Sequence, residues 1–584
     1  MARPFPVLPF PGRLTPRARR AEEFRPDMFP TSSRIGELQQ NLEGDLLQFL
    51  PELVLCVGIV LLLLCRLVKA FDRTHLGTLA AALLGVALLP AVYQFLEPVS
   101  VDFFAGMLVA DPFSAGVRLL LLVAALFTAI LTLLTGIPDR DDSGDFYVLL
   151  LGSTLGMMLM VSANHLLMVF IAVEMASLPS YAMAGFLKGK RTGSEAALKY
   201  VVFGAGASGV MLYGISLLAG TFGTGHLTNV ASAIAARIGE ANGMDPLAFT
   251  GLGLLFVGLG FKVAAVPFHF WCPDVFEGAA AEVAGFLSVA SKTAAIALTV
   301  RVLQTLQLAA DNMLPSAEAH LVFPSTIGIA VGIVGAITVT FGNLAAFSQT
   351  NLKRMLAYST IAHAGYMLLG VAAMTLAATS AVLYYLVAYL FMNLGAFAVV
   401  AFVRNKTGSE ELSAFRGLVW KSPVLAIAMS LFLFSLLGFP PLAGFAGKFQ
   451  VFSSVFEAGK AAMAAGHANL GTAFYVLLAI GAANTAISAY YYLRIVRAML
   501  LEDDATPTVT CSVCSTGTVY LLLLAAALLV GGIIWNPITS ATDNAAATFK
   551  TLKVKTSVLP PEGVPLKKGN PPAVKGANQK GPAT

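Results

Sequence analysis

The sequence predicts an all-α polytopic membrane protein of about fourteen transmembrane helices, with two inverted five-helix repeats and two discontinuous helices. Three observations carry this expectation. Hydrophobic residues make up 57% of the chain and charged residues only 12%, against about 25% charged in soluble domains. Apolar stretches of bilayer-spanning length, about 20 residues each, recur along most of the chain. Prolines and glycines interrupt two of those stretches, five spans apart. The net charge of +5 sits mainly in loops and tails, so nothing in it points to nucleic acid as a partner.

Residues 1–45 read as a flexible N-terminal extension. They are rich in Arg and Pro and lack the apolar core of a secretory signal peptide. A mitochondrial transit peptide is the alternative, against which Glu22, Glu23 and Asp27 count, and Met28 is a second candidate start. Spans follow near 46–65, 76–96 and 113–135, forming a first segment over 46–140. A first repeat over 141–310 holds spans four to eight, near 146–163, 165–187, 196–220, 250–272 and 281–303. A second over 311–500 holds spans nine to thirteen, near 325–347, 354–374, 381–403, 424–456 and 472–496. Span fourteen, near 517–535, lies within 501–540, and 541–584 reads as a disordered, basic, Pro-rich tail.

The seventh span contains Pro267, and the twelfth is too long for one crossing and is broken at Gly438, Pro440, Pro441 and Gly444. Proline removes a backbone donor and clashes with the preceding turn. Such breaks persist at membrane depth only where protein or a water-filled cavity satisfies the freed groups. Discontinuous helices in corresponding positions of two repeats point to the ion pathway.

Loop charge sets the expected orientation. Loops after odd-numbered spans collect basic residues, among them Arg66, Lys69, Arg73, Arg140, Lys188, Lys190, Lys353, Arg354, Lys406 and Arg497. Loops after even-numbered spans hold little beyond Arg237, Arg301 and Lys460. By the positive-inside rule the odd loops face the cytoplasm or matrix, which puts both termini on the opposite side. The basic tail runs against that rule, and the many short loops outweigh it.

Buried ionisable residues cost about 2.5–3.5 kcal/mol each on insertion scales and are functional candidates by default. Five lie at mid-span: Glu174, Lys262, Lys292, His363 and Lys448. For Glu174 the bland alternative is a structural ion pair with a neighbouring helix. Lys262 stands five residues before the break at Pro267, and about a dozen apolar residues on its N-terminal side argue against a lysine snorkelling to the surface. Burial weakens a lysine's hold on its proton and a nearby carboxylate strengthens it, so moving the carboxylate moves the proton, at about 1.36 kcal/mol per pKa unit. His363, with Tyr358, Ser359 and Tyr366 around it, can accept and pass a proton near neutrality, although a lone buried histidine is more often a hydrogen-bonded core residue. Lys199 and His269 are weaker candidates, each a relay member or a contact near a helix end. Together these positions suggest a membrane-parallel file at mid-depth.

Five cysteines are too few and too scattered for a disulfide framework. Cys511 and Cys514 form an isolated C-x-x-C without a second pair or a nearby histidine. No haem, iron–sulfur, flavin or nucleotide motif is present, so no cofactor and no metal is expected in this chain.

Five segments resemble the antiporter-like membrane subunit N (subunit 2) of proton-pumping NADH:quinone oxidoreductase, respiratory complex I: FKVAAVPFHFWCPDVFEGA, FLSVASK, NLKRMLAYSTIAHAGY, EAALKY and GFPPLAGFAGKF. The match runs in order from about Asp111 to Arg497. The resemblance implies fourteen helices with two inverted repeats and a subunit that conducts protons. It implies Glu174 and Lys262 as a carboxylate–lysine pair, Lys292 as the central relay, Lys448 as the terminal lysine, and His363 within the tenth-span motif. It places NAD, FMN, iron–sulfur clusters and quinone in partner subunits, and other antiporter-like and small helical subunits, with the lipid bilayer, as neighbours. The expected location is an energy-transducing membrane, the bacterial inner membrane favoured over the mitochondrial one. One departure stands out: the family's G-A-P-A-P is here Gly278-Ala279-Ala280-Ala281-Glu282, and an acidic residue in a first helical turn suits the helix dipole. The nearest rival reading is a subunit of a multisubunit cation/proton antiporter or membrane-bound hydrogenase. A stand-alone metabolite transporter predicts one enlarged site rather than lysines spread over several helices, and a self-contained quinone reductase lacks a cofactor motif.

Overall fold

The computed structural model describes residues 42–68, 75–137, 142–187, 189, 191–241, 245–314, 317–502 and 515–551. Most of the N-terminal extension, Lys69, Arg73, Arg140, Lys188, Lys190, Cys511, Cys514 and the tail beyond 551 lie outside the described residues. Among the described residues, thirteen helices are long and apolar enough to cross a membrane, and two half-helices make one further crossing. In order the spans are Leu50–Leu67, Gly77–Leu96, Pro112–Thr135, Ser143–Ser162, Leu166–Ala184, Arg191–Phe222, Pro246–Val263, Ala281–Met313, Ala317–Ala346, Leu352–Ala372, Leu376–Thr407, the broken pair Pro423–Leu437 and Ala443–Ala464, Ala468–Leu501, and Ser515–Ile533. Each overlaps one expected from the sequence.

Local chemistry sets several boundaries. Asp111 starts the third span as a capping box with Ser114: its side chain accepts the Ser114 amide and the Ser114 hydroxyl accepts the Asp111 amide. Asp245, Asn351 and Thr375 cap the seventh, tenth and eleventh spans in the same N-terminal position. Pro112, Pro246 and Pro423 occupy first-turn positions, where a missing N–H costs nothing.

Burial divides the molecule. The most apolar window of the eighth span is 100% buried, and those of the tenth and eleventh are 94% and 89% buried, whereas the first two reach only 28% and 22%. Spans eight, ten and eleven are therefore the inside of the bundle, and the outward faces of the first two, with Val57, Leu64, Leu89 and Tyr93 exposed, suit an apolar surrounding. Spans nine and ten meet backbone to backbone: a Cβ on Gly342 would lie 2.7 Å from the Ala362 nitrogen and one on Gly365 2.5 Å from the Val339 nitrogen. Small residues permit this approach where there is no hydrophobic force between helices.

Both expected breaks are present, and they share a pattern. The first half of the seventh span ends at Val263 with Ala264 left-handed (φ 61), and Pro267 follows three residues later. The first half of the twelfth ends at Leu437 with Gly438 left-handed (φ 89), and Pro441 follows three residues later. Alanine in this conformation costs about 1–2 kcal/mol. Protein satisfies the freed groups: the Val266 amide donates to the Thr338 hydroxyl at 3.0 Å, the Trp271 indole N–H to the Phe261 carbonyl at 3.0 Å, and the Gly444 amide to the Ser435 hydroxyl at 3.2 Å.

Four features correct or extend the sequence reading. Arg301, counted with the loops, lies inside the eighth span, 2% exposed, in a two-pronged bond to Asp111 at 2.8 and 3.0 Å. A charge this deep is retained because the pair is fully hydrogen-bonded. The segment 541–551, assigned to the disordered tail, is helical within Asn536–Ala546 and Thr548–Thr551. It folds back because one face has partners: Thr542 shares a hydrogen bond with Ser380 at 2.9 Å, and the Phe549 and Phe113 rings stand 5.2 Å apart. A two-stranded hairpin, Val101–Phe103 with Leu108–Ala110, and a helix at Leu227–Ala241 were not anticipated.

Candidate functional site

The candidate residues fall on the elements that break. Lys262 occupies the last turn of the first half of the seventh span and is 2% exposed. Glu174 comes from the fifth span, half-buried, and its carboxylate accepts a short hydrogen bond from the Ser208 hydroxyl of the sixth. It acts on Lys262 electrostatically, without a direct ion pair between the two. Serine thus holds the carboxylate while the lysine feels its charge.

Lys292 follows a π-helical turn, Leu287–Ser291, in the eighth span. Such turns inside α-helices are frequent at functional sites. Its ammonium, 1% exposed, donates to the Val263 carbonyl at 2.9 Å, the end of the first half of the seventh span. Lys448 does the equivalent in the twelfth span: it is 4% exposed and donates to the Leu436 and Leu437 carbonyls, each at 3.0 Å. A half-helix C-terminus carries about half a negative charge and unsatisfied carbonyls, so each break creates an acceptor at membrane depth for one lysine. The Tyr366 ring adds a cation–π contact, 4.5 Å from the Lys448 nitrogen to the ring centre.

His363 lies between these lysines, and both act on it electrostatically. Its Nδ1 is 2.6 Å from the Tyr385 hydroxyl and its Nε2 is 3.0 Å from the Tyr492 hydroxyl. Tyr492 continues to the Ser359 hydroxyl at 2.5 Å. A neutral imidazole has one donor and one acceptor nitrogen, so one tyrosine donates to the ring and the other accepts from it. Beyond Tyr366, Asn343 and Thr485 reach its hydroxyl at 3.5 and 3.3 Å, Tyr491 donates to Asn343 at 3.0 Å, and Asn343 donates to Asn484 at 3.2 Å. The Tyr366 ring thus faces both, 5.8 Å from the His363 ring and in cation–π contact with Lys448.

The weaker candidates separate. Lys199 bonds Asp274 at 2.7 Å and Glu195 at 2.8 Å, and Arg354 bonds Asp274 and Glu277, each at 2.7 Å. That is a partly exposed ion-pair cluster at the basic-loop end, not a member of the mid-depth file. His269 is buried within the seventh-span break; its ring stands 4.3 Å from that of Phe341, and its Nδ1 has no hydrogen-bond partner. Lys292 acts on it electrostatically. Glu282, fully buried, is held by Arg404 at 3.0 and 3.3 Å. Close by, Lys353 bonds Glu410 at 2.8 Å and the Ala279 carbonyl at 2.6 Å.

Sequence reasoning missed Ser208, Tyr385 and Tyr492. It also missed the buried pair Glu52–Arg118, 2.9 Å apart. Charge inside an apolar span was a signal for that pair. The tyrosines left none, since one tyrosine in an apolar helix is ordinary. Among the described residues, no group of three or more His, Cys, Asp or Glu is arranged to hold a metal ion.

Residues 163–470 match the family model described as NADH:quinone oxidoreductase/Mrp antiporter, TM. A relative from Anaeromyxobacter sp. (strain Fw109-5), named NADH-quinone oxidoreductase subunit N, is 40% identical over 528 residues, covering 88% of this chain and 98% of that one. The chain belongs to the subunit N family of NADH-quinone oxidoreductase. A chain of respiratory complex I from Thermus thermophilus is 32% identical, with a TM-score of 0.66, covering 85% of this chain and 99% of that one. A chain of the Mrp complex from Dietzia sp. DQ12-45-1b aligns with a TM-score of 0.72 over 86% of this chain and 98% of that one. At 20% identity it shares the fold alone.

Proposed function

We propose that this chain is the proton-conducting membrane subunit N of a respiratory NADH:quinone oxidoreductase, carrying protons along Glu174, Lys262, Lys292, His363 and Lys448 while partner subunits oxidise NADH and reduce quinone. NAD, FMN, iron–sulfur clusters and quinone belong to those partners, and the chain's neighbours are other antiporter-like and small helical membrane subunits and the bilayer. The bacterial inner membrane is its location, with the basic loops cytoplasmic and both termini outside. The carrying observation is that Lys292 and Lys448 each donate to carbonyls at the end of a broken half-helix. A proton leaving either lysine lets that carbonyl site reorganise, so charge state and local geometry are linked.

The matching breaks, left-handed cap and proline three residues on, support two inverted repeats over 141–310 and 311–500. In each, the half-helix end sets the acceptor; the lysine comes from the following span in the first repeat and from the same span in the second.

The deciding experiment replaces Lys292. Lys292→Met keeps length and removes charge, and the complex is expected to assemble with NADH-driven proton pumping reduced at least tenfold. Lys292→Arg is expected to fail as well, since arginine does not release its proton near neutrality. Parental pumping in an assembled methionine variant would refute the relay.

A further inference from the structure

We propose that the face of the Tyr366 ring is the seat of the Lys448 charge, and that a clasp of Asn343, Asn484 and Thr485, from the ninth and thirteenth spans, positions the ring there. Tyr366 acts on the terminal lysine through its ring, and the clasp acts through Tyr366. This rests on the relay reading above and adds positioning residues to it.

A lysine ammonium has three N–H groups. At Lys448 the Leu436 and Leu437 carbonyls accept at 3.0 Å each, and the Tyr366 ring centre stands 4.5 Å from the nitrogen. Among the described residues no carboxylate pairs with Lys448, and no ring stands over the Lys262 or Lys292 ammonium. The tenth, eleventh, thirteenth and fourteenth spans pack against its half-helix. The first three bring the titratable side chains His363, Tyr366, Tyr385, Tyr491 and Tyr492 to this site, none of them an acid. The fourteenth turns Tyr520 away, to the Phe127 carbonyl, and on the half-helix itself Glu457 and Lys460 are exposed and pair with each other. A carboxylate beside Lys448 would compete for its proton. An aromatic face attracts the cation through the ring quadrupole and offers no place for the proton, so the lysine is held while charged and stays free to discharge.

The clasp follows from the close meeting of spans nine and ten. Gly342 and Gly365, whose missing side chains let those backbones touch, are the residues just before Asn343 and Tyr366. The buried Tyr366 hydroxyl is 3.3 Å from the Thr485 hydroxyl and 3.5 Å from the Asn343 amide nitrogen. Asn343 donates to the Asn484 Oδ1 at 3.2 Å and accepts from the Tyr491 hydroxyl at 3.0 Å. Asn484 donates in turn to the Thr340 hydroxyl at 2.9 Å and the Ile480 carbonyl at 3.0 Å. Both side-chain amides are therefore partnered at oxygen and at nitrogen, and both are buried. A satisfied polar network in a dry interior is rigid. Phe452 stands edge-on to the Tyr366 ring, 6.1 Å between centres.

The test uses the whole complex in inverted membrane vesicles. NADH oxidation by an artificial acceptor reports assembly, and NADH-driven proton pumping is followed across pH. Phenylalanine and then trifluorophenylalanine take the place of Tyr366. The two rings have nearly one shape, but fluorine draws electron density from the face and weakens its hold on a cation. The ammonium is then less favoured, so the alkaline limb of pumping is expected to move about half a pH unit or more below its place in the phenylalanine variant. A ring that only packs would not move it, and superimposable profiles overturn the seat. Tyr366→Phe by itself removes the anchored hydroxyl and is expected to lower pumping at least twofold; parental pumping there overturns the clasp. If the ring variants do not assemble, Thr485→Val loosens the same anchor and should move the limb in the same direction, and an unmoved profile overturns the proposal. Lys448→Met run alongside separates the two readings. Loss there with superimposable ring profiles overturns the seat alone, and parental pumping there overturns the relay at Lys448 and the seat with it.

Discussion

Two acidic side chains buried to different degrees show how partners decide a role. Glu174 has a serine hydroxyl and a lysine at a distance, so its charge is answered incompletely and a change in it is felt at Lys262. Glu174→Gln is expected to reduce pumping and quinone turnover together severalfold, with Glu174→Asp milder; NADH-driven dye quenching and quinone reduction in the same membranes measure both. Full pumping in assembled Glu174→Gln membranes would refute the coupling. Glu282 instead meets Arg404 through both carboxylate oxygens in a buried site. Glu282→Ala leaves Arg404 buried without its partner, a loss of about 3–5 kcal/mol. Thermal unfolding in detergent should show a lower midpoint, while pumping per assembled complex stays near parental. Glu174, Lys262, Lys292, His363 and Lys448 were legible in the sequence because an ionisable group inside an apolar span is costly and therefore conspicuous. Tyr385, Tyr492 and Ser208 were not, because neutral polar groups at those positions are common, and only the packing of the spans shows what they touch.

At the scale of elements, the two broken spans carry the argument. Their prolines and glycines were visible in the chain, and the breaks fall where those residues stand. Which lysine meets which freed carbonyl was not visible, since Lys292 reaches a carbonyl 29 residues earlier in sequence. The twelfth-span break also depends on a close approach: a Cβ on Gly444 would lie 1.9 Å from the Ser435 carbonyl oxygen. Gly444→Ala must open the turn between the half-helices and displace Lys448 from the Leu436 and Leu437 carbonyls. We expect pumping to fall at least fivefold, and cysteine accessibility probed at the break should rise; an alanine variant with parental pumping would count against this geometry. Short elements escaped the sequence reading for a plain reason. Strands of three residues lie below any periodicity signal, and Leu227–Ala241, at 15 residues, is too short to span.

Across the whole molecule, buried charge is arranged in layers. Arg118–Glu52 and Arg301–Asp111 tie spans together toward one end. Arg404–Glu282, Lys353–Glu410 and the Lys199–Asp274–Arg354 cluster do so toward the basic-loop end, and the buried Lys262, Lys292 and Lys448 lie between. The proposed orientation puts a tag inserted after Arg191 or Lys406 within reach of a cytoplasmic probe and one after Thr584 within reach only from outside. Labelling of the C-terminal tag from the cytoplasm would mean an odd error in the number of crossings.

The sequence by itself determined the membrane class, the order of the spans, the two breaks and five titratable groups inside apolar spans. Each of these is written in local composition, because hydrocarbon penalises every charge and every unpaired backbone group wherever it stands. Only the tertiary structure decided which partners answer those charges. Lys199 and Glu282 are absorbed by ion pairs, Arg301 becomes an internal strut, and His363 is held between Tyr385 and Tyr492. Hydrogen bonds act over about 3 Å, and residues more than a hundred positions apart come within that distance only when the bundle closes.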